Sequence, residues 1–338
     1  MERFQIQPER LDAASPVSSI SFTEVTHKKN RELLKKYIRY GLGITNLSVS
    51  VIRGEHSAIR NFLNDICQDE NEDVCSVTPA QMDDYFKKQR QRSVQAETYN
   101  KNVMCIQHFF NFLKVRQYIE RIPFDAECCL KKIIPRHLDR SVAQEAADEI
   151  LEKLCCFPET IRIMYLHLWG VGLRISEVCT LKGNAYYIQG KDAWIQVYQI
   201  KMRTYKRIPI PDALYKLTKV YLKKHGIKAD DYVFQNAKGG AYCKSTFRYN
   251  MLKYCELNNI QNGGYVFKSH DYRHTIATYF YDTGVPLQSI RDYLGHDYEE
   301  MTEQYIDYMP KKIEKASEEY FSRHSLAACM KRGEKTDG

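Results

Sequence analysis

The chain reads as mainly α-helical with one small antiparallel sheet, divided into two domains by a basic linker. Three observations predict this. Apolar residues recur at helical spacing over most of the chain, as at Ile52, Ile59, Phe62, Leu63 and Ile66. One stretch alternates instead: WIQVYQI at 194–200 returns as RIPIP at 207–211 through a polar turn, the pattern of a hairpin. Between the two regions, residues 123–140 carry Pro123, Pro135 and paired lysines, and no period holds through them.

Taken in order, residues 1–24 read as a loose leader, with Pro8, Pro16 and several serines but no periodicity. The first domain, 25–122, is a bundle of about four helices. Its first helix, over 26–40, puts Leu33, Leu34, Tyr37 and Ile38 on one face and is expected to stop at Gly41 and Gly43. A second helix runs to Ile66. Thr78-Pro79-Ala80-Gln81 then opens a third, with a capping threonine, a proline at the first helical position and a glutamine to close the box. That helix ends in KKQRQR at 87–92, and a fourth, over 97–117, turns Tyr99, Val103, Ile106, Phe110 and Leu113 inward. Lys87, Lys88, Arg90 and Arg92, with Lys101 on the next helix, form either a wall of phosphate contacts or a solvated helix end suited to cations.

The second domain, 141–310, begins with a helix over 142–156 and a nearly all-apolar one after Pro158. The latter closes at Gly170-Val171-Gly172 and is followed by Arg174 and Glu177. A guanidinium beside a buried helix needs a carboxylate or a bound anion, so Arg174 either bridges to Glu177 or binds an anion. Lys201 falls where the hairpin strand gives way to its turn, with Lys206 on the same hairpin. A helix over 212–224, a strand at 232–234 and a helix over 245–258 follow; Lys244, Arg248 and Lys253 give the last of these a second basic face that suits phosphate contacts. His270 and Arg273 share one face of a helix expected to start at Ser269. The one after Pro286 turns Ile290 and Leu294 inward and stops at Gly295, next to His296. Tyr305 lies nine residues further on, and 311–338 form a last short helix and tail.

Composition narrows the class. The chain holds 50 Lys and Arg against 42 Asp and Glu, a net charge of +8 that leans towards a polyanionic partner. No apolar run approaches a membrane span and no signal-peptide core opens the chain, so a cytoplasmic protein without a membrane partner is expected. The eleven cysteines include the adjacent pairs Cys128-Cys129 and Cys155-Cys156, which suit reduced thiols better than a disulfide framework. No zinc or phosphate-loop motif occurs, and no cofactor or metal is expected. His270, Arg273, His296 and Tyr305 nevertheless supply what attack on a phosphodiester without a metal needs. The guanidinium grips non-bridging oxygens, the imidazoles move protons and the phenol is a nucleophile.

Arg174 within GLRISE, Lys201 eight residues before Pro209, His270-Asp271-Tyr272-Arg273-His274-Thr275, Leu294-Gly295-His296 and Tyr305 come in an order that resembles the tyrosine recombinases, the phage integrase family. ETYNKNVMCIQHFFNFL, at 97–113, is similar to that family's SAM-like core-binding domain. The resemblance implies a mixed α/β catalytic domain joined to the helical bundle in a C-shaped clamp on DNA. It further implies a recombinase of the kind carried by bacterial transposons and integrative elements. On this likeness Tyr305 is the nucleophile that forms a 3′-phosphotyrosyl link, and Arg174 and Arg273 hold the non-bridging oxygens. Lys201 protonates the leaving 5′-oxygen, His270 exchanges a proton near the tyrosine, His296 donates a hydrogen bond to a phosphate oxygen, and Glu177 orients its neighbours. The family spacing to Pro209 favours Lys201 over Lys206, and a 100° step turns His274 away from Arg273. The implied partners are double-stranded recombination sites and further copies of the chain: a monomer in solution, a tetramer on DNA, with the 311–338 tail docking on a neighbour. An accessory DNA-bending or directionality factor is compatible with this scheme. A type IB topoisomerase, a non-enzymatic DNA-binding regulator and a metal-dependent nuclease are the competing readings. The full catalytic set weighs against the regulator, and the distance of the acidic run at 69–73 from the arginines weighs against the nuclease.

Overall fold

The structure, a computed structural model, describes residues 3–7, 10–11, 19–67, 73–134, 140–200, 202–261 and 264–295. These fall into two compact units that part near residue 136. The helical share is large and the sheets are small, as the periodicities predict.

In the first unit, strand β1 (Arg3–Gln5) pairs antiparallel with β2 (Ser19–Ser21), setting Phe4 opposite Ile20. Part of the leader is therefore ordered structure. Ile6, Ile20 and Phe22 are buried in the core of the bundle, and Phe4 meets Phe22 edge to face at 4.8 Å. A period-two signal confined to three-residue strands is too short to stand out in the sequence. Helices α1 (Lys28–Gly43) and α2 (Val49–Ile66) follow. Helix α1 ends at Gly43, as expected, but Gly41 lies within it; Gly41 is buried at the contact with Ile52, and packing there offsets the weak helix propensity of glycine.

Helix α3 (Pro79–Gln91) starts with the expected capping box: Thr78 N–H donates to Gln81 Oε1 at 2.8 Å and Gln81 N–H to Thr78 Oγ1 at 3.4 Å. Helix α4 (Ala96–Val115) buries Tyr99, Val103, Ile106, Phe110 and Leu113, the face read from the sequence.

The stretch assigned to a linker is bundle for its first third and more. A short helix, α5 (Ala126–Cys129), is held by Phe124, whose ring packs on Phe86 at 5.2 Å and Phe110 at 5.5 Å. Tyr99 donates its hydroxyl hydrogen to the Cys129 carbonyl at 3.1 Å, and Asn100 bonds both the N–H and the C=O of Lys131 at 2.8 Å. Phe124, Ala126 and Leu130 are spaced apolar anchors, and the prolines around them obscure that pattern.

The second unit is built around α7 (Glu159–Val171), which follows α6 (Gln144–Lys153) and precedes the short α8 (Ile175–Cys179). A meander of β3 (Tyr186–Gln189), β4 (Asp192–Gln199) and β5 (Thr204–Pro209) comes next, with Ile195 opposite Ile208 and Val197 opposite Lys206. Helices α9 (Asp212–Lys224), α10 (Lys244–Leu257), α11 (Asp271–Asp282) and α12 (Leu287–Leu294) complete the described chain. Residues 232–234 do not make a strand. Val233 N–H donates to the Leu181 carbonyl at 2.8 Å, and the segment touches its neighbour through the isolated bridge of Lys182 with Tyr232.

His167 shows how tightly α7 is enclosed. It is fully buried, its Nδ1 lies 2.7 Å from the Ile163 carbonyl and its Nε2 2.8 Å from the Tyr186 hydroxyl. The ring thus donates at Nδ1 and accepts at Nε2, a neutral tautomer. Burial pushes it down from 6.5 to about 4, only partly countered by the Ile163 carbonyl. The unfolded chain therefore takes up this proton first as pH falls. The stability that the neutral ring contributes is present above 6.5 and drains away as pH falls from there towards 4. His167→Gln should be less stable than wild type near neutral pH but lose less on acidification from about pH 7 to about pH 5, read as the shift in urea midpoint. Equal acid sensitivity in both proteins would show that this imidazole does not govern it.

Candidate active site

The site begins where α7 stops. Gly172 sits in the left-handed region at φ +67°, and a Cβ there would come within 3.2 Å of the Ile276 side chain, so both conformation and space favour glycine. The reversal hands the chain to Leu173, which is buried, and then to Arg174 at the cap of α8. Arg174 N–H donates to Glu177 Oε2 at 2.9 Å and its Nη1 to Oε1 at 3.0 Å, so one carboxylate fixes both the backbone and the guanidinium. The Arg174 side chain keeps 16% of its surface open and Glu177 only 2%.

Two further cations converge on that carboxylate. Lys206, on the inward face of β5, brings Nζ to 3.5 Å from Glu177 Oε2. Arg273, on α11, is 0% exposed and its field also acts on Glu177. Burial opposes ionisation of Glu177, but Lys206, Arg273 and Arg174 outweigh it and hold the carboxyl below its ordinary range. Burial likewise pushes the Lys206 ammonium down to about 8, against the pull of Glu177, and Arg273 and Arg174 add repulsion.

The same cations also hold backbone. Arg273 donates from Nη1 to the Gly172 carbonyl at 3.1 Å and from Nη2 to the Leu294 carbonyl. Lys206 donates to that Leu294 carbonyl at 3.2 Å, and Gln199 Nε2 to the Gly295 carbonyl at 2.9 Å. The C-terminal end of α12, where carbonyls lack helical partners and carry partial negative charge, is thus gripped from β4, β5 and α11. Tyr293 ties the same helix to α7 by donating to the Val171 carbonyl at 3.2 Å.

His270 stands at the cap of α11, one residue after the expected Ser269. It keeps a solvent-exposed edge, yet protein atoms crowd the ring. That desolvation, then His274, Arg273, Arg174 and Arg140, push the imidazole from 6.5 down to about 4, so it is neutral near pH 7 and able to accept a proton. The His274 ring meets it edge to face at 5.3 Å. His274 is one step round the helix from Arg273 but one full turn on from His270, and the second spacing governs where it sits.

Of the residues singled out in the sequence, the structure brings together Arg174, Glu177, His270 and Arg273. Lys201, His296 and Tyr305 lie outside the described residues, as does the 311–338 tail. Lys206, which spacing places second to Lys201, is a buried member of the cluster; its shared parity with the inward Ile208 and Ile210 is the signal for that. Of the candidate phosphate contacts, Lys87 and Lys88 are exposed on α3 and Lys101 on α4. Arg90 is occupied with the Cys129 carbonyl at 2.9 Å, and Arg92 pairs with Asp65 at 3.1 Å. On α10, Arg248 and Lys253 are exposed and Lys244 is half-buried.

Removing the central charge should expose what it balances. Glu177→Gln leaves Arg174, Lys206 and Arg273 facing one another without a counter-charge, and should lower unfolding stability by about 3 kcal/mol or more. Urea denaturation near neutral pH measures this. A variant as stable as wild type would mean that the three cations are neutralised elsewhere.

Comparison with known proteins agrees with this architecture. The sequence model of the phage integrase family matches residues 140–312. Transposase B from transposon Tn554 of Staphylococcus aureus (strain Mu50) is 28% identical over 306 residues, covering 85% of this chain and 47% of that protein, so the chain spans about half the length of this relative. The tyrosine recombinase XerA of Thermococcus onnurineus is 25% identical over 236 residues, covering 69% of this chain and 79% of that protein. Among solved structures, the Tn1549 transposon integrase in complex with transposon right end DNA shares the fold. Its TM-score is 0.64 at 16% identity, over 86% of this chain and 98% of that one. With the family match running from Arg140 past every catalytic candidate, the chain belongs to the phage integrase family.

Proposed function

We propose that the chain is a site-specific DNA recombinase that cuts and rejoins strands through a 3′-phosphotyrosyl intermediate and serves the integration and excision of a mobile element. The observation that carries this reading is the convergence of Arg174, Lys206 and Arg273 on the single buried carboxylate of Glu177, with His270 beside them. Such a cluster is preorganised positive charge, which a phosphoryl transition state needs and which costs no rearrangement when the reaction occurs. Family membership supplies the nucleophile, and the Tn554 relative supplies the mobile-element context.

In this mechanism Tyr305 Oη attacks the scissile phosphorus as the bond to the 5′-oxygen breaks. His270, neutral near pH 7, accepts the phenolic proton. Arg174 binds a non-bridging oxygen through its open edge, Arg273 adds its charge from within the cluster, His296 donates a hydrogen bond to a phosphate oxygen, and Lys201 gives the leaving 5′-oxygen its proton. One phosphodiester is exchanged for another ester, so the bond energy is retained and neither ATP nor a metal is called for. Attack by the 5′-hydroxyl of a partner strand reverses the step and completes the exchange. The substrate is double-stranded DNA carrying recombination sites, met in the cytoplasm. It is held largely through phosphates by the basic faces of α3, α4 and α10, so affinity falls steeply with salt. The assembled form is a tetramer on DNA.

Tyr305→Phe tests the nucleophile. On a nicked suicide substrate, whose leaving fragment diffuses away, wild type should accumulate a covalent 3′ adduct. The variant should form it slower by a factor of roughly 1000 or more while binding the DNA as tightly. An adduct that persists in the variant would sink the assignment. Supercoil relaxation of a plasmid without paired sites would instead favour a topoisomerase.

A further inference from the structure

The end of α12 is held more heavily than a helix terminus needs. Gly295 caps it in the left-handed region at φ +67°, and a Cβ there would lie 2.2 Å from Gln199 Nε2. Glycine is therefore required both for the conformation and for the close approach of β4. Gln199 and Lys206 flank the turn of the β4–β5 hairpin, Gln199 ending β4 and Lys206 lying in β5, and they bond successive carbonyls, Gly295 and Leu294. Both residues are buried, Lys206 at 8% exposure and Gln199 at 4%. Lys206 alone adds a contact to Glu177, at 3.5 Å, and through it to Arg174. One ammonium thus joins β5, α8 and α12.

We infer that Lys206 is a positioning residue of the strand-transfer site: with Gln199 as a second latch, it pins the turn end of the β4–β5 hairpin to the end of α12 and to the Glu177–Arg174 pair. The chain leaves β4 two residues before Lys201 and leaves Gly295 directly into His296. Both departures therefore start from points fixed on the same cluster. Lys206 acts from beneath the cluster, since its buried ammonium is committed to a carboxylate and a carbonyl. The inference rests on the recombinase reading above and goes beyond it, because it gives the two lysines of the hairpin different roles. Lys201 moves a proton, and Lys206 holds geometry.

Two substrates separate these roles. In the first the scissile phosphate has its ordinary 5′-bridging oxygen. In the second that atom is sulfur, which leaves as a thiolate and needs no proton. Single-turnover formation of the Tyr305 adduct is measured on both for wild type, Lys206→Met, Lys206→Arg, Gln199→Leu and Lys201→Ala. Lys206→Met should be slower than wild type by about 10- to 100-fold on both substrates alike, with unchanged DNA affinity. Lys206→Arg, which keeps charge and donors, should recover part of the rate. Gln199→Leu should show the same substrate-independent loss, which covers the case in which Lys206→Met does not fold. Lys201→Ala should be slow on oxygen and restored by sulfur. If sulfur restores Lys206→Met, Lys206 is itself the proton donor and the inference is overturned. It also falls if Lys206→Met and Gln199→Leu cleave at the wild-type rate while wild type forms the adduct. A wild-type protein that forms no adduct on either substrate removes the recombinase reading itself, and this inference with it.

Discussion

The second unit depends on one buried carboxylate. Glu177 is almost entirely removed from water, and an isolated charge at such a position would be far too costly to keep. It remains ionised because Lys206, Arg273 and Arg174 surround it, and they tolerate one another because it is there. The dependence is mutual, so no member can be treated as a separate salt bridge. The elements that bring the four together, α8, β5 and α11, are far apart in sequence, and the cluster is therefore also a tertiary clamp.

That clamp extends to backbone carbonyls. A helix C-terminus leaves acceptors unsatisfied, and solvent or a following turn ordinarily meets them. In α12 they are met by a guanidinium, an ammonium and an amide. The cations gain acceptors that share the burden of their burial, and the helix end gains a fixed location. Gly172 has the same relation to Arg273 at the end of α7. Two left-handed glycines, each following a helix, thus present carbonyls to one fully buried arginine or its neighbours, which explains why GLR and LGH flank the site in sequence.

What could be read in the chain follows the range of the interaction involved. The capping box at Thr78, the inward face of α4 and the stop of α12 at Gly295 are local and legible from spacing alone; the pairing of Arg174 with Glu177 is equally local, and is one of the two readings its spacing leaves open. The burial of Lys206 is not, because a strand residue faces inward or outward according to register, and a lysine gives no apolar signal of its own. The short β1–β2 ribbon is hidden by its length, and the docking of α5 by the prolines around it. A 100° step turns His274 away from Arg273, and the same helical spacing puts its ring on His270, one turn back. The roles of Lys201, His296 and Tyr305 are expected from family resemblance alone; local spacing by itself leaves them open.

The distribution of cations shows why net charge is a weak guide to a DNA-facing surface. Arg90 closes carbonyls of the α5 segment, Arg92 answers Asp65, and Arg273 and Lys206 are consumed by the interior of the second unit. Each counts towards the +8 of the chain, yet none of these contacts points at a ligand. A metal-free phosphoryl-transfer site has to hold positive charge rigidly enough that it need not reorganise when charge develops on phosphorus. Rigid placement of a cation requires internal partners, and those partners use up donors that would otherwise reach the phosphate. Arg174 resolves the conflict by exposure: one edge is fixed on Glu177 while part of the side chain stays open, and it is the arginine of the cluster that combines anchorage with access.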